Sequence, residues 1–305
     1  MDRPGRPGRW GELTDPELLL DALLARCAFP PPGTEVTCAV SGGADSLALL
    51  VLACRAGCVV TAVHVDHGLR PNGAAEAARV AAVADRLGAC FEAVSVEVGA
   101  GPNLEARARR ARFDVLPPGV LVGHTADDRA ETMLLNLLRG TGAAGLAALG
   151  PSPRRPLLAL RRVDTEAVCE AMGLVAFRDP TNDDPRFRRN RVRGEVLPLL
   201  AEVADRDVVP LLVRLGDHLG ALDEFVEHAA AQLDPTDVAA LRAAPTVVAQ
   251  AALRRWLRAG ADLERHSPDT ATIERVLAVA RGERRATDVG VGRRVRRSAG
   301  RLHLT

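Results

Sequence analysis

The chain has 305 residues, 47% of them hydrophobic, which is enough for two domains with a real core. Its 40 basic and 39 acidic residues nearly cancel, to a formal net of +1, so any contact with nucleic acid must come from local patches rather than a global field. All the basic residues are arginine; with no lysine and no tyrosine, the chain excludes a Walker-type phosphate loop, a Schiff-base enzyme and a Ser-x-x-Lys site.

Residues 1–9 form a Pro/Gly/Arg arm without an apolar segment, and the longest apolar run, 47–54, is far too short to span a bilayer. Cys27, Cys38, Cys54, Cys58, Cys90 and Cys169 are scattered, mostly inside apolar runs, and read as small buried hydrophobes of a cytoplasmic protein with no membrane contact. Asp15-Pro16 opens a helix to about residue 28. Alternation then begins: strand 35–40, helix 46–56, strand 59–65, helix 73–87, strand 91–96, helix 103–116, strand 120–123 and helix 126–139. Strand and helix alternating at this spacing predict an α/β fold, a doubly wound parallel sheet with its ligand at the carboxyl ends of the strands. Loops at 140–156 and 179–185 surround a short helix at 164–172, and a further helix spans 189–204. Helices at 209–233, 237–243, 247–260 and 267–281 follow, then a small hairpin over 286–305 turning near Ser298. The organisation is an arm and helix over 1–34, the α/β domain over 35–205, and a second, smaller, mainly helical domain over 206–305.

The strongest motif is Ser41-Gly42-Gly43-Ala44-Asp45-Ser46, placed where the first strand gives way to a helix. Two glycines let backbone N–H groups approach an anion, the helix presents its positive end, Ser41 and Ser46 add donors, and Asp45 can hold Mg²⁺ against a triphosphate. Gly140-Thr-Gly142-Ala-Ala-Gly145 matches a dinucleotide fingerprint on paper but follows a helix rather than a strand, so its context is wrong. The second strand ends in His64-Val-Asp66-His67-Gly68-Leu69-Arg70, with His64 and Asp66 on one face at the carboxyl edge. The fourth ends in Gly123-His124, and Thr125 then caps a helix on which Asp128 and Glu131, three apart, share a face. Two carboxylates there could anchor an ammonium group or share a metal ion. Arginine clusters, eight over 281–301 against two acids and ten over 151–194 against six, are compatible with phosphate contacts.

The hexapeptide loop resembles that of the PP-loop N-type ATP pyrophosphatases, which needs no lysine. With the HVDHGLR segment, Asn103, Ala108-Arg109 and Arg112-Phe113, the GHTADDRAET segment, Asp179-Pro-Thr181-Asn182 and Arg189-Asn190 through Pro198, the chain resembles the tRNA(Ile)-lysidine synthetase family across residues 36–198. Phe113 stands where the family usually has tyrosine, and Gly194 where many members have histidine. The resemblance implies ATP-dependent ligation of free L-lysine to C2 of the wobble cytidine of a CAU-anticodon isoleucine tRNA, through an adenylated cytidine, with Mg²⁺. It assigns catalysis to Asp45, Asp128, Glu131 and Arg189, and ATP binding to residues 41–46 with His64, Asp66, Gly123 and His124. It assigns RNA contact to Arg70, Arg109, Arg112, Asn190 and Arg193, and the metal to Asp45 and Asp128. A homodimer stays open. The nearest alternative, a tRNA 2-thiolase with the same loop, needs paired CxxC cysteines that the sequence lacks. A non-catalytic nucleotide-sensing or tRNA-binding module is the alternative of another class, and the three acids Asp45, Asp128 and Glu131 argue against it.

Overall fold

The computed structural model describes residues 15–66, 73–96, 107, 111, 114–177, 184–259, 268–290 and 292–305. The chain divides into two compact units, Met1–Gly216 and Asp217–Thr305; the boundary read from the sequence lies at 205/206.

In the first unit, α1 (Pro16–Leu24) starts where Asp15 accepts from the Glu17 N–H and Pro16 sits at a position that needs no donor. It buries Leu19, Leu20 and Leu23 and stops short of the expected residue 28. Arg26 and Cys27 donate to Leu23 and Leu24, three residues back, so the last turn tightens and ends the helix. Next come β1 (Glu35–Ala39), α2 (Ala44–Arg55), β2 (Val59–Asp66), α3 (Gly73–Arg86) and β3 (Cys90–Ser95). The three strands pair in parallel in the order β1-β2-β3. Both faces of β2 are apolar because both are covered: Val60 and Ala62 join α2 leucines and Val80 of α3 in the main core, while Val63 packs with Leu116 and Val120.

The strand expected at 120–123 is reduced to one parallel bridge between Leu121 and Cys38. Leu121 donates to Thr37 at 2.8 Å and accepts from Ala39 at 2.9 Å, but Val122 already donates to the Arg154 carbonyl at 2.8 Å. Pro117, Pro118 and Gly119 before it and Gly123 after it leave no room for a longer ladder. The bridge pairs with β1, whose other neighbour in the sheet is β2, and the order of connection reverses beside β1. Open α/β sheets bind ligands outside the carboxyl ends of the strands at such a reversal.

Helix α4 (Ala126–Leu137) follows, and a short α5 (Ala143–Leu146) lies within the loop expected at 140–156, tied by the Asn136 amide to the Gly145 carbonyl. Helix α6 (Arg162–Ala171) starts two residues earlier than expected. The predicted helix 189–204 is α7 (Arg188–Arg191), a π turn (Val192–Val196) and α8 (Leu197–Ala204). Pro198 accounts for the π turn: in an unbroken α-helix its ring would strike the Gly194 carbonyl four residues back, and the wider turn relieves that clash. Of the helix expected at 103–116, residues 107, 111, 114 and 115 are helical, Leu116 lies in a bend beyond its end, and the others lie outside the described residues. Cys38 and Cys169 are core residues, and burial pushes both thiols above their ordinary range; Cys90, against expectation, is exposed because it opens the edge strand β3.

Helix α9 (Val209–Ala231) is followed by α10 (Val238–Ala243), α11 (Thr246–Ala259) and α12 (Thr270–Arg281). In the second unit Leu241, Leu253, Ile273, Val276, Val295 and Leu302 form one apolar cluster. The expected hairpin turns at Ala299-Gly300, but it is part of a three-stranded antiparallel sheet: β4 (Ala286–Gly290), β5 (Arg293–Ser298) and β6 (Arg301–Leu304). Gly290 and Gly292, both at positive φ, make the extra turn. Among the described residues no helix is long and apolar enough to cross a membrane.

Candidate active site

The carboxyl end of β1 runs into the glycine-rich loop, where Gly42 at φ +83 adopts a backbone conformation that side-chain-bearing residues rarely reach. The loop is tied to itself: the Ser46 hydroxyl donates to the Gly43 carbonyl at 2.8 Å and accepts from the Ser41 N–H at 3.1 Å, and the Ser41 and Ser46 hydroxyls lie 3.2 Å apart. Phe177 donates its N–H to the Gly42 carbonyl at 2.8 Å. Gly43 caps α2 with no side-chain hydrogen bond, so the first N–H groups of that helix have no capping side chain. His64, buried on β2, places Nδ1 2.9 Å from the Val40 carbonyl and braces the base of the loop. The Asp66 carboxylate lies against Gly73 at the start of α3, where a Cβ would not fit.

The bridge segment closes the other side. A Cβ on Gly123 would lie 2.5 Å from the Asp45 carbonyl oxygen and 3.2 Å from the Ser46 nitrogen, so only glycine lets the segment that carries His124 lie this close to the loop. From there Thr125 and Asp128 form a capping box at the start of α4, with Asp128 Oδ2 accepting from the Thr125 N–H at 2.9 Å. Asp128 Oδ1 accepts from Arg189 Nη2 at 3.0 Å. Glu131, a turn further on, is completely buried and held by three guanidiniums: Arg189 Nε at 2.7 Å, Arg193 Nε at 2.7 Å and Arg162 Nη1 at 3.2 Å. Burial alone would raise the Glu131 carboxyl, but the Arg193 hydrogen bonds and the charges of Arg162, Arg193 and Arg189 hold it below its ordinary value.

Arg162 is the hub. Besides Glu131 it faces Asp45 Oδ2 at 3.7 Å and Asp128 Oδ1 at 3.8 Å, and its backbone N–H donates to Asp127 Oδ2 at 2.8 Å. Arg161 grips Asp127 with two nitrogens, at 3.0 and 3.1 Å, and pairs with Asp207. Thr165 Oγ1 lies 2.5 Å from Asp45 Oδ1. Burial nevertheless pushes the Asp45 carboxyl up to about 6, helped by the charges of Asp128 and Asp127 and opposed by Arg162 and Thr165.

The structure thus brings together the loop, Asp45, Gly123, Asp128, Glu131, Arg189 and Arg193. Asn190 braces the chain before its own helix, donating to the Asp184 carbonyl at 2.9 Å. Arg70, Arg109 and Arg112 lie outside the described residues, as do His67, Asn103, Asp179, Thr181 and Asn182. The sequence reading assigned no role to Arg161, Arg162 or Thr165. A signal for the arginines was present: two positive side chains at the start of a helix oppose its dipole, an arrangement that calls for facing carboxylates.

A PP-loop domain model matches residues 20–200, and a TilS substrate binding domain model matches residues 237–303. Fold, loop and matched domain define a PP-loop enzyme that uses ATP. The chain is similar to tRNA(Ile)-lysidine synthase of Mycolicibacterium paratuberculosis, 41% identical over 85% of this chain and 83% of the relative. It is similarly related to that of Rhodococcus opacus, 38% identical over 90% of each chain. The chain belongs to the tRNA(Ile)-lysidine synthase family. Among solved structures, the U34-tRNA thiolase NcsA from Methanococcus maripaludis has the same fold, with a TM-score of 0.52 at 15% identity, covering 67% of this chain and 78% of that one.

Proposed function

We propose that this enzyme joins free L-lysine to C2 of the wobble cytidine of a CAU-anticodon isoleucine tRNA, in the cytoplasm and at the expense of ATP. The observation that carries this reading is the meeting of the glycine-rich loop with Asp45, Asp128 and Glu131 at the sheet reversal, in a chain of this family.

In the first step the cytosine O2 attacks the α-phosphorus of ATP, forming a C2–O–P linkage and releasing pyrophosphate. The uncapped N–H groups of α2 and the Ser41 and Ser46 hydroxyls hold phosphate oxygens. Mg²⁺ suits the residues present, and Asp45 and Asp128 would hold it: the Arg162 guanidinium already faces an oxygen of each, so both carboxylates are turned toward positive charge. When bound it would neutralise phosphate charge.

In the second step the lysine ε-amine, its extra proton given up to solvent, attacks C2; the C–N bond forms, the C2–O bond breaks and AMP leaves. Asp128 and Glu131 orient the incoming ammonium. Glu131, held ionised, is a weak base and serves as a fixed negative charge rather than a proton acceptor. Arg189 of α7 and Arg193 of the π turn, which both grip Glu131, turn toward phosphate oxygens as the leaving group develops charge. The second unit supplies tRNA contacts.

The test is to incubate the protein with Mg-ATP, lysine and a CAU-anticodon isoleucine tRNA, digest the RNA and weigh its nucleosides. The wobble cytidine is expected to gain the mass of lysine less one water, with AMP formed in equal amount. AMP formation without that gain would overturn the ligation and leave only ATP cleavage.

A further inference from the structure

We propose that Thr165 is a positioning residue for the reaction: its hydroxyl, on the first turn of α6, aims the Asp45 carboxylate away from its own helix and across the site, with Oδ2 on the side of Arg162. The proposal rests on the reading that Asp45 serves ATP and its cation.

An Asp in the first turn of a helix ordinarily turns back to accept from the exposed N–H groups there. Asp45 does not: among the described residues its carboxylate has one hydrogen bond, the one from Thr165 of a helix 120 residues away, at 2.5 Å. An ionised carboxylate only accepts, so the hydroxyl proton is committed to Asp45 Oδ1. Thr165 Oγ1 also lies 2.8 Å from the Arg162 carbonyl, the usual resting place of a helical threonine. The shorter, charge-assisted bond wins that competition. Thr165 is fully buried, so no solvent substitutes for Asp45 as its partner, and Cys169, one turn along the same helix, fixes α6 to α2 through the Ala44 carbonyl at 3.6 Å.

Two consequences follow from this one bond. The α2 N–H groups have no side-chain cap and can meet phosphate oxygens. The two Asp45 oxygens become inequivalent: Oδ1 is held by Thr165, while Oδ2 faces Arg162 at 3.7 Å, beside Asp128 and Glu131. A cation shared with the triphosphate would then bind at Oδ2 alone, without the cost of freezing the carboxylate rotamer.

Two variants separate the hydroxyl from the shape: Thr165→Val keeps the branched side chain and loses the donor, and Thr165→Ser keeps the donor and loses the methyl. The readouts are Mn²⁺ affinity by electron paramagnetic resonance with a non-hydrolysable ATP analogue bound, the kcat and KM for pyrophosphate release, and the melting temperature. Thr165→Val is expected to weaken Mn²⁺ binding and lower kcat about tenfold with KM for ATP unchanged, and Thr165→Ser to stay within about twofold of wild type. The proposal is overturned if the serine variant is as impaired as the valine variant, or if the valine variant binds Mn²⁺ like wild type. Failure of the wild-type protein to bind Mn²⁺ with the analogue would instead sink the reading of Asp45 on which the proposal stands.

Discussion

The same residue type does opposite things in the two units. In the first, Arg161, Arg162, Arg189 and Arg193 are each locked to carboxylates within 3.8 Å, and of the acids they hold Asp127, Asp128 and Glu131 are largely or wholly buried while Asp207 is exposed. In the second, Arg294 and Arg296 stand exposed on one face of β5, opposite buried Val295, and among the described residues no ion pair holds them. Four guanidiniums against Asp45, Asp127, Asp128 and Glu131 leave the first site near neutrality. The arginines of the second surface keep an unneutralised charge, the kind of charge that attracts polyanions and that salt screens.

The sharpest way to break this contrast is Glu131→Gln. Removing the charge that three guanidiniums share should lower unfolding stability by about 3 kcal/mol at neutral pH, measured by urea denaturation. Because the folded-state value lies below the ordinary 4.5, the stabilisation is present above that value and is lost as pH falls through the lowered one, so the gap between variant and wild type should close in acid. Lysine transfer should slow more than adenylation; equal loss of both steps would contradict the role given to Glu131. Gly123→Ala probes how tightly the site is built. Its Cβ would meet the Asp45 carbonyl at 2.5 Å, and the displaced loop should cost about a hundredfold in pyrophosphate release. On the free surface, replacing Arg294 and Arg296 with alanine should weaken tRNA binding severalfold and flatten its salt dependence by about one unit per lost phosphate contact, with ATP affinity unchanged. An unaltered salt slope would show that those arginines face no phosphate. Gly194→Ala marks where the tight region ends: nothing lies within 4 Å of the added Cβ and φ is not positive, so a gain of about 0.5 kcal/mol without change in activity is expected from thermal melting.

The parts of the site legible in the sequence are those written in consecutive residues. The loop 41–46 and the acids Asp128 and Glu131 each sit at a strand-to-helix junction that local pattern reveals. Thr165 escaped because nothing near it in the chain announces a partner 120 residues away, and Arg162 because its one local signal, two positive side chains at a helix start, does not say which carboxylates face it. The fourth strand was overread, since a short β-branched run does not tell whether its N–H groups go to a neighbouring strand or, as for Val122, to a loop. The third C-terminal strand was missed because Gly290 and Gly292 carry a turn that alternation alone conceals. The second domain had only a helical, partly basic pattern to offer, and its match to a TilS substrate binding domain came from the comparison rather than from any single motif.

The π turn at Val192–Val196 sets helical phase. One residue of a helix is worth about 100° of rotation, and the wider turn absorbs such a step between the segment that presents Arg189 and Arg193 to Glu131 and the segment that packs Leu197 beside Val208 and Val209. Shortening that turn by a single residue would bring back the clash between the Pro198 ring and the carbonyl four residues before it. The chain from 188 to 204 therefore tolerates changes of side chain far better than changes of length.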